Sequence, residues 1–274
     1  SAGSIFFKST AKDIFSWIKE TCYKYRVNEE LSLNAVAFNN LLWTTGSQSD
    51  AQAKFVPLNL PGTEKINKRV KKLNVSFDFE MGYLSVHYSL AAKPIKTAHF
   101  HFSSEISLDS ALYGKNSLKE IILPERLIKI FHKHGVKGIF SKKMKNLMIY
   151  INPEKKFPDK IEHLVKVQID NSLKLGWKKQ DLVLLTNFSY EYQGVKATVA
   201  DDDLFCKINE KVAVSNAIFQ LLAQGVVKEA ELWWYHDLDV FQLRPIDSSQ
   251  IVLGDATVGF TKDGAQKFDT GNFF

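Results

Sequence analysis

The residues best suited to chemistry stand in one run, Glu231-Leu-Trp-Trp-Tyr-His-Asp-Leu-Asp-Val-Phe-Gln242. A block of bulky apolar residues reads as a strand, and Asp237 and Asp239 follow at its end. Carboxylates at i and i+2 of extended chain point to one side, and parallel sheets bind ligands beyond the carboxyl ends of their strands. Such a pair can serve one hard divalent cation, Mn²⁺ or Mg²⁺, that also holds a diphosphate. The plainer reading is a solvated turn, because aspartate is common where strands end. In Thr97-Ala-His-Phe-His-Phe102, His99 and His101 alternate with apolar residues, so on a strand both imidazoles face one side. A neutral imidazole suits a site that already has two carboxylates; histidines bonded to backbone are the alternative. His236 reads as a packing or orienting neighbour of the acidic pair.

Further polar groups stand where other strands should end. Asp201-Asp202-Asp203 closes the apolar stretch Val195–Ala200. Three successive carboxylates repel one another unless a cation or donors relieve them, and capping of the next turn by Asp201 or Asp203 is the simpler role. Tyr150 and Asn152 follow the first strand of the same half and can stack on and hydrogen-bond a base, or mark an exposed strand end. The sequence has no P-loop, G-x-G-x-x-G after a strand, H-E-x-x-H, C-x-x-C or G-x-S-x-G, which leaves carboxylates and histidines to carry any catalysis.

The elements that must position these groups alternate in type. Leu147–Ile151, Asp181–Thr186, Val195–Ala200 and Glu231–Tyr235 read as strands. Between them, Asp159 can cap a helix carrying Ile161, Leu164, Val165, Ile169 and Leu173 at the 3.6 period, stopped by Gly176. A second helix spans Lys211–Gln224, with Gly225 past its end. Near the start, Ser4–Phe7 reads as a strand, and Thr10 with Asp13 as a capping box for a helix with Ile14, Phe15, Ile18 and Cys22 on one side. Leu118–His132 reads as a last amphipathic helix, interrupted by Pro124. The fold expected is α/β, a mostly parallel central sheet flanked by helices in a single domain.

Composition agrees with a folded core. The 274 residues are 45% hydrophobic and 24% charged, the balance of ordinary globular chains. No apolar run approaches the ~18 residues that would span a membrane. Two cysteines exclude a disulfide framework and fit a reducing, cytoplasmic setting. The net charge of +6 favours anionic ligands without naming one. Basic runs at Lys65–Lys72 and Lys133–Lys145 read as solvated faces or as nucleic-acid contacts. The order of motifs is unusual: Met144-Lys-Asn-Leu-Met-Ile-Tyr-Ile151 looks like a natural beginning in mid-chain. Met144 is then the start of a circularly permuted order; the alternative takes it as an ordinary methionine.

Trp-Trp-Tyr-His-Asp-Leu-Asp resembles the D-x-D strand of GT-A-type glycosyltransferases, which use nucleotide-diphosphate sugars and Mn²⁺ or Mg²⁺. Once the permutation is undone, Ser1-Ala-Gly-Ser-Ile-Phe-Phe-Lys8 resembles the N-A-G-V strand that follows D-x-D in those enzymes. Asn28-Glu-Glu-Leu-Ser-Leu-Asn34 is similar to the D-Q-x-x-L-N segment, and Thr97–Phe102 to the late hydrophobic-H-F motif whose histidine completes the metal site. The resemblance covers about two-thirds of the chain, and it selects His99 over His101 as the third ligand. It also implies a contact between Asp201 and the nucleoside, a UDP-linked donor, and a fold whose nucleotide-sugar half is 144–274 and whose acceptor half is 1–143. The chain departs from the pattern at Glu29 and Glu30, which stand for Asp-Gln, at Ser1 for Asn, and at Ser103-Ser104-Glu105 for Lys-Pro-Trp. Glu30 and Asp269 are the carboxylates then left for the sugar, as acceptor base or as stabilisers of an oxocarbenium-like centre. Three functions follow in order: sugar transfer to an acceptor hydroxyl, with a modified DNA base among the acceptors; nucleotidyl or phosphoryl transfer at the same metal; and non-catalytic nucleic-acid binding by the lysines.

Overall fold

The computed structural model describes residues 4–25, 42–44, 54–56, 63–80, 95–99, 144–201, 204–205, 212–229 and 231–261. Its strands are β1 (Ser4–Phe7), β2 (Leu42–Thr44), β3 (Lys54–Val56), β4 (Val70–Leu73), β5 (Phe79–Glu80), β6 (Thr97–His99), β7 (Met144–Tyr150), β8 (Leu182–Thr186), β9 (Glu191–Tyr192), β10 (Val195–Lys196), β11 (Thr198–Val199), β12 (Leu232–His236), β13 (Val240–Gln242) and β14 (Val258–Thr261). The helices are α1 (Lys12–Tyr25), α2 (Thr63–Asn67), α3 (Asp159–Lys174) and α4 (Val212–Ala223).

Seven strands form one sheet in the order β11-β8-β7-β12-β1-β14-β4. β11, β8, β7 and β12 run parallel. β1 is antiparallel to both its neighbours, and β14 and β4 are again parallel. The sheet is therefore mixed and mostly parallel, and it takes strands from both halves of the chain. A smaller sheet, β13-β6-β5, continues from the end of β12.

Side-chain alternation along the strands builds two cores. Phe6, Met144, Met148 and Trp234 face α3, joining Leu164, Val165 and Ile169. Ile5, Phe7, Leu147, Ile149, Trp233 and Tyr235 face the other way, against Ile14, Phe15 and Ile18 of α1 and Ala217, Ile218 and Leu221 of α4. The period of two in the strands and of 3.6 in the helices therefore places a layer of helix on each side of the sheet. Phe6 is fully buried at the centre, with Trp234 stacked 5.9 Å away and Phe77 edge-on at 5.8 Å.

Several local expectations change. Val195–Ala200 is two strands: Val195–Lys196 closes a hairpin on β9, and Thr198–Val199 joins the main sheet beside β8. The chain switches sheets at Ala197, after a turn with positive φ at Gln193 and Gly194. Thr10 and Asp13 make no capping box. Ser9–Ala11 is a 3₁₀ turn without a side-chain cap, and Arg69 instead binds the Asp13 carboxylate and the Thr10 carbonyl. Asp159 lies in the first turn of α3, and Pro158 occupies the cap. The basic run at Lys65–Lys72 becomes α2, a turn and edge strand β4; lysines on an edge discourage pairing with other chains. The Leu118–His132 helix lies outside the described residues.

Phe6→Ala should cost about 3–5 kcal/mol, because its ring ties β1 to the core under the smaller sheet. Urea denaturation should show a lower midpoint at an unchanged slope.

Candidate metal centre

The acidic pair sits where one strand passes from sheet to sheet. β12 ends at His236 between parallel β7 and antiparallel β1, and Val240 starts β13, which pairs antiparallel with β6. The link Asp237-Leu238-Asp239 is closed by a Val240 N–H to Asp237 carbonyl bond of 3.0 Å. Because Val240 pairs with His99, this link delivers both aspartates to the imidazole. His99, Asp237 and Asp239 each offer a ligand atom, all within 4.8 Å of one another. One nitrogen and two carboxylate oxygens at that spacing form a donor set for a hard divalent cation.

A fourth residue was not foreseen from the sequence. Asp78, just before β5, is buried, and its Oδ1 lies 3.1 Å from His99 Nδ1. His99 Nε2 faces Asp239 Oδ1 at 3.4 Å. The imidazole thus has one nitrogen on each carboxylate. Burial alone would pull its pKa down; the charges of Asp78 and Asp239 outweigh that and hold it well above the ordinary value. A carboxylate behind a metal-binding histidine fixes the ring and raises its basicity. A cation held by His99, Asp237 and Asp239 would need the ring nitrogen it binds to be unprotonated, which an imidazole can provide, so the donor set fits a metal chemically.

The helix beneath holds the link in place. Gln168 of α3, buried, donates to the carbonyls of Leu238 and Val240 at 2.7 and 2.9 Å. Asn171 donates to the Gln242 carbonyl at 2.8 Å, and Trp177 Nε1 to the Gln242 side chain at 2.8 Å. Three polar residues, Gln168, Asn171 and Ser172, therefore interrupt the buried face of an otherwise apolar stripe. That interruption was the available signal in the sequence.

His236 has the packing role expected for it. Its ring lies 4.5 Å from that of Trp234, and its nitrogens stand 2.9 Å from Asn146 Oδ1 and 2.9 Å from the Asp237 carbonyl oxygen. Burial pushes its pKa down to about 4, against the pull of that carbonyl bond and the nearby carboxylates. The neutral ring holds one proton and can donate to only one of the two oxygens. Asp237 also accepts from the Tyr235 hydroxyl.

The remaining candidates divide. β11, β8, β7 and β12 are parallel neighbours, so Asp201, Tyr150, Asn152 and Asp237 all lie at one carboxyl-end rim. At ~4.8 Å per strand, that rim spans about 14 Å from Asp201 to Asp237. Tyr150 packs on Phe157 with ring centres 5.2 Å apart. Asn152 is already engaged: its side chain accepts from Glu154 N–H and donates to the Lys156 carbonyl, and its backbone pairs with the Asn187 amide. Asp201 is exposed, and its carboxylate accepts from Gln220 of α4. Glu30, Asp269, His101, Asp202 and Asp203 lie outside the described residues. Among the described residues, no helix is long and apolar enough to cross a membrane.

Compared with protein-family profiles, characterised proteins and solved structures, the chain gives no significant match to any of them.

Gln168→Met keeps the volume but strips the Leu238 and Val240 carbonyls of their buried donor. The expected loss is about 2 kcal/mol, read by thermal or urea unfolding.

Proposed function

We propose that the chain is a metal-dependent glycosyltransferase moving a sugar from a nucleotide-diphosphate donor, best taken as UDP-linked, to an acceptor hydroxyl. The observation that carries this reading is the meeting of His99, Asp237 and Asp239 at the carboxyl end of β12. His99 stands 138 and 140 positions before the two aspartates in sequence, and their convergence is what the resemblance to GT-A-type enzymes implies. The rim over β11, β8 and β7 supplies further support, because it offers an aromatic ring and polar groups beside the cluster, as a base and ribose require.

Transfer of a glycosyl group leaves negative charge on the departing diphosphate, and a divalent cation in the cluster supplies its neutralisation. Asp237 and Asp239 would hold the cation, His99 would contribute a neutral nitrogen, and Asp78 orients that ring from behind. Tyr150 stacks on the base; Asp201 takes the ribose or base edge. Glu30 and Asp269 keep their proposed roles at the acceptor and the sugar. DNA carrying a modified base stands among the acceptors to be tried. The rival, nucleotidyl or phosphoryl transfer, uses the same cluster and differs in which bond breaks. Free nucleoside diphosphate marks sugar transfer; pyrophosphate or nucleoside monophosphate marks the rival.

Thermal-shift titration with UDP, GDP and CDP, each with and without Mn²⁺, tests the reading. One nucleotide should stabilise the wild type only when Mn²⁺ is present, by about 2.7 kcal/mol at ~100 times its dissociation constant. Asp239→Asn should abolish that shift while keeping the wild-type circular dichroism; an equal shift in the variant would overturn the site. Asp78→Asn touches no metal directly and should weaken Mn²⁺ binding by about 10- to 100-fold, measured by calorimetry.

A further inference from the structure

The ladder that carries His99 has a second charged end. Beyond the Thr97–Gln242 rung, Lys96 and Leu243 face each other: Leu243 N–H donates to the Lys96 carbonyl at 2.8 Å and Arg244 N–H reaches it at 3.4 Å. The backbones of Lys96 and Arg244 are thereby locked side by side. Both residues are half-buried. Among the described residues no carboxylate pairs with either, although Arg69, Lys145 and Lys166 each have one. The Nε of Arg244 is enclosed and has no acceptor among the described residues. Guanidinium donors are costly to bury unmet, and like charges held together repel. Burial and the Arg244 charge together lower the Lys96 pKa, which agrees with a pair lacking a counter-charge.

We infer that Lys96 and Arg244 form a binding site for a phosphate group, separate from the metal centre. The terminal amino groups of a guanidinium present N–H donors that match phosphate oxygens, and an ammonium beside it supplies a mobile point charge. Three residues of extended chain separate Lys96 from His99, about 10 Å, so the phosphate does not sit on the metal cluster. Binding there requires no metal, and the inference stands apart from the glycosyltransferase reading. Two sources carry the same chemistry, the phosphomonoester of a small molecule and the phosphodiester of a nucleic-acid strand.

Calorimetric titration of the full chain, metal-free with EDTA and at constant ionic strength, decides the matter with two probes: inorganic phosphate and a short oligothymidylate. Saturable binding at one site is expected with phosphate if a monoester is the natural group, and with the oligonucleotide if a diester is. Lys96→Met and Arg244→Gln should each weaken the bound probe by at least tenfold. In phosphate-free buffer Lys96→Met should also melt at a higher temperature, because it removes one of two repelling charges. Absence of saturable binding with both probes, or equal affinity in wild type and Lys96→Met, would overturn the site. A lower melting temperature of Lys96→Met in that buffer would show the pair to be structural and would overturn it equally. Should Arg244→Gln fail to fold, Lys96→Met decides alone. Failure of this test leaves the nucleotide and Mn²⁺ result untouched, so the two readings are judged independently.

Discussion

Everything around β12 answers to one constraint: carboxylates placed in a dry interior need positive charge among them. Asp78 and Asp239 are buried on either side of His99, with Asp237 beside them. An ion removed from water without compensation costs several kcal/mol. The two carboxylates favour the charged form of the His99 imidazole against the effect of burial. A divalent cation offers more charge in the same place. The cluster gathers one imidazole and two carboxylates at the spacing a hard divalent cation takes, and the carboxylates supply the charge such a cation answers.

Such a cluster works only if its backbone cannot relax. Like-charged side chains drift apart wherever a turn permits, and the Asp237–Asp239 link is a turn. Two features prevent it. β13 continues immediately into a ladder with β6, fixing Val240 opposite His99. From below, the forked amide of Gln168 grips the carbonyls on both sides of Asp239, and Asn171 and Trp177 hold Gln242. Buried amides are expensive unless every bond is made; here they replace apolar packing on α3 with directional bonds. The gain is positional accuracy at the carboxylates, the property a metal site requires from its supporting shell.

Much of this was legible in the sequence, and the exceptions have physical causes. The parallel strands and the helices α3 and α4 follow from periodicity, and the acidic pair could be placed because an apolar strand runs straight into it. His99 joined through its alternation with apolar residues and through the resemblance to GT-A-type enzymes. Asp78 left no trace: it stands alone between a 3₁₀ turn and a two-residue strand, and its importance arises from a partner that only tertiary structure supplies. Gln168, Asn171 and Ser172 were visible as polar residues at core positions, but a period of 3.6 does not say what a buried amide will grip. The Val195–Ala200 stretch reads as one strand because alternation cannot reveal a change of sheet at Ala197. Thr10 with Asp13 reads as a capping box because no local pattern announces that Arg69 competes for Asp13.

The two ends of the β6–β13 ladder also explain each other. At one end are the carboxylates around His99; at the other, about 10 Å away along the strand, are Lys96 and Arg244. With an effective dielectric near 20, opposite unit charges at that distance attract by about 1.7 kcal/mol, less where water and salt intervene. Each end therefore steadies the other enough to be tolerated, and neither satisfies the other's hydrogen bonds. Among the described residues the Arg244 Nε has no acceptor. A cation at the first end would withdraw part of the field that steadies the second, raising the demand for an anion there. Charge at one end of a rigid ladder thus sets the need for opposite charge at the other, which makes paired occupation the electrostatically relaxed state of this small sheet.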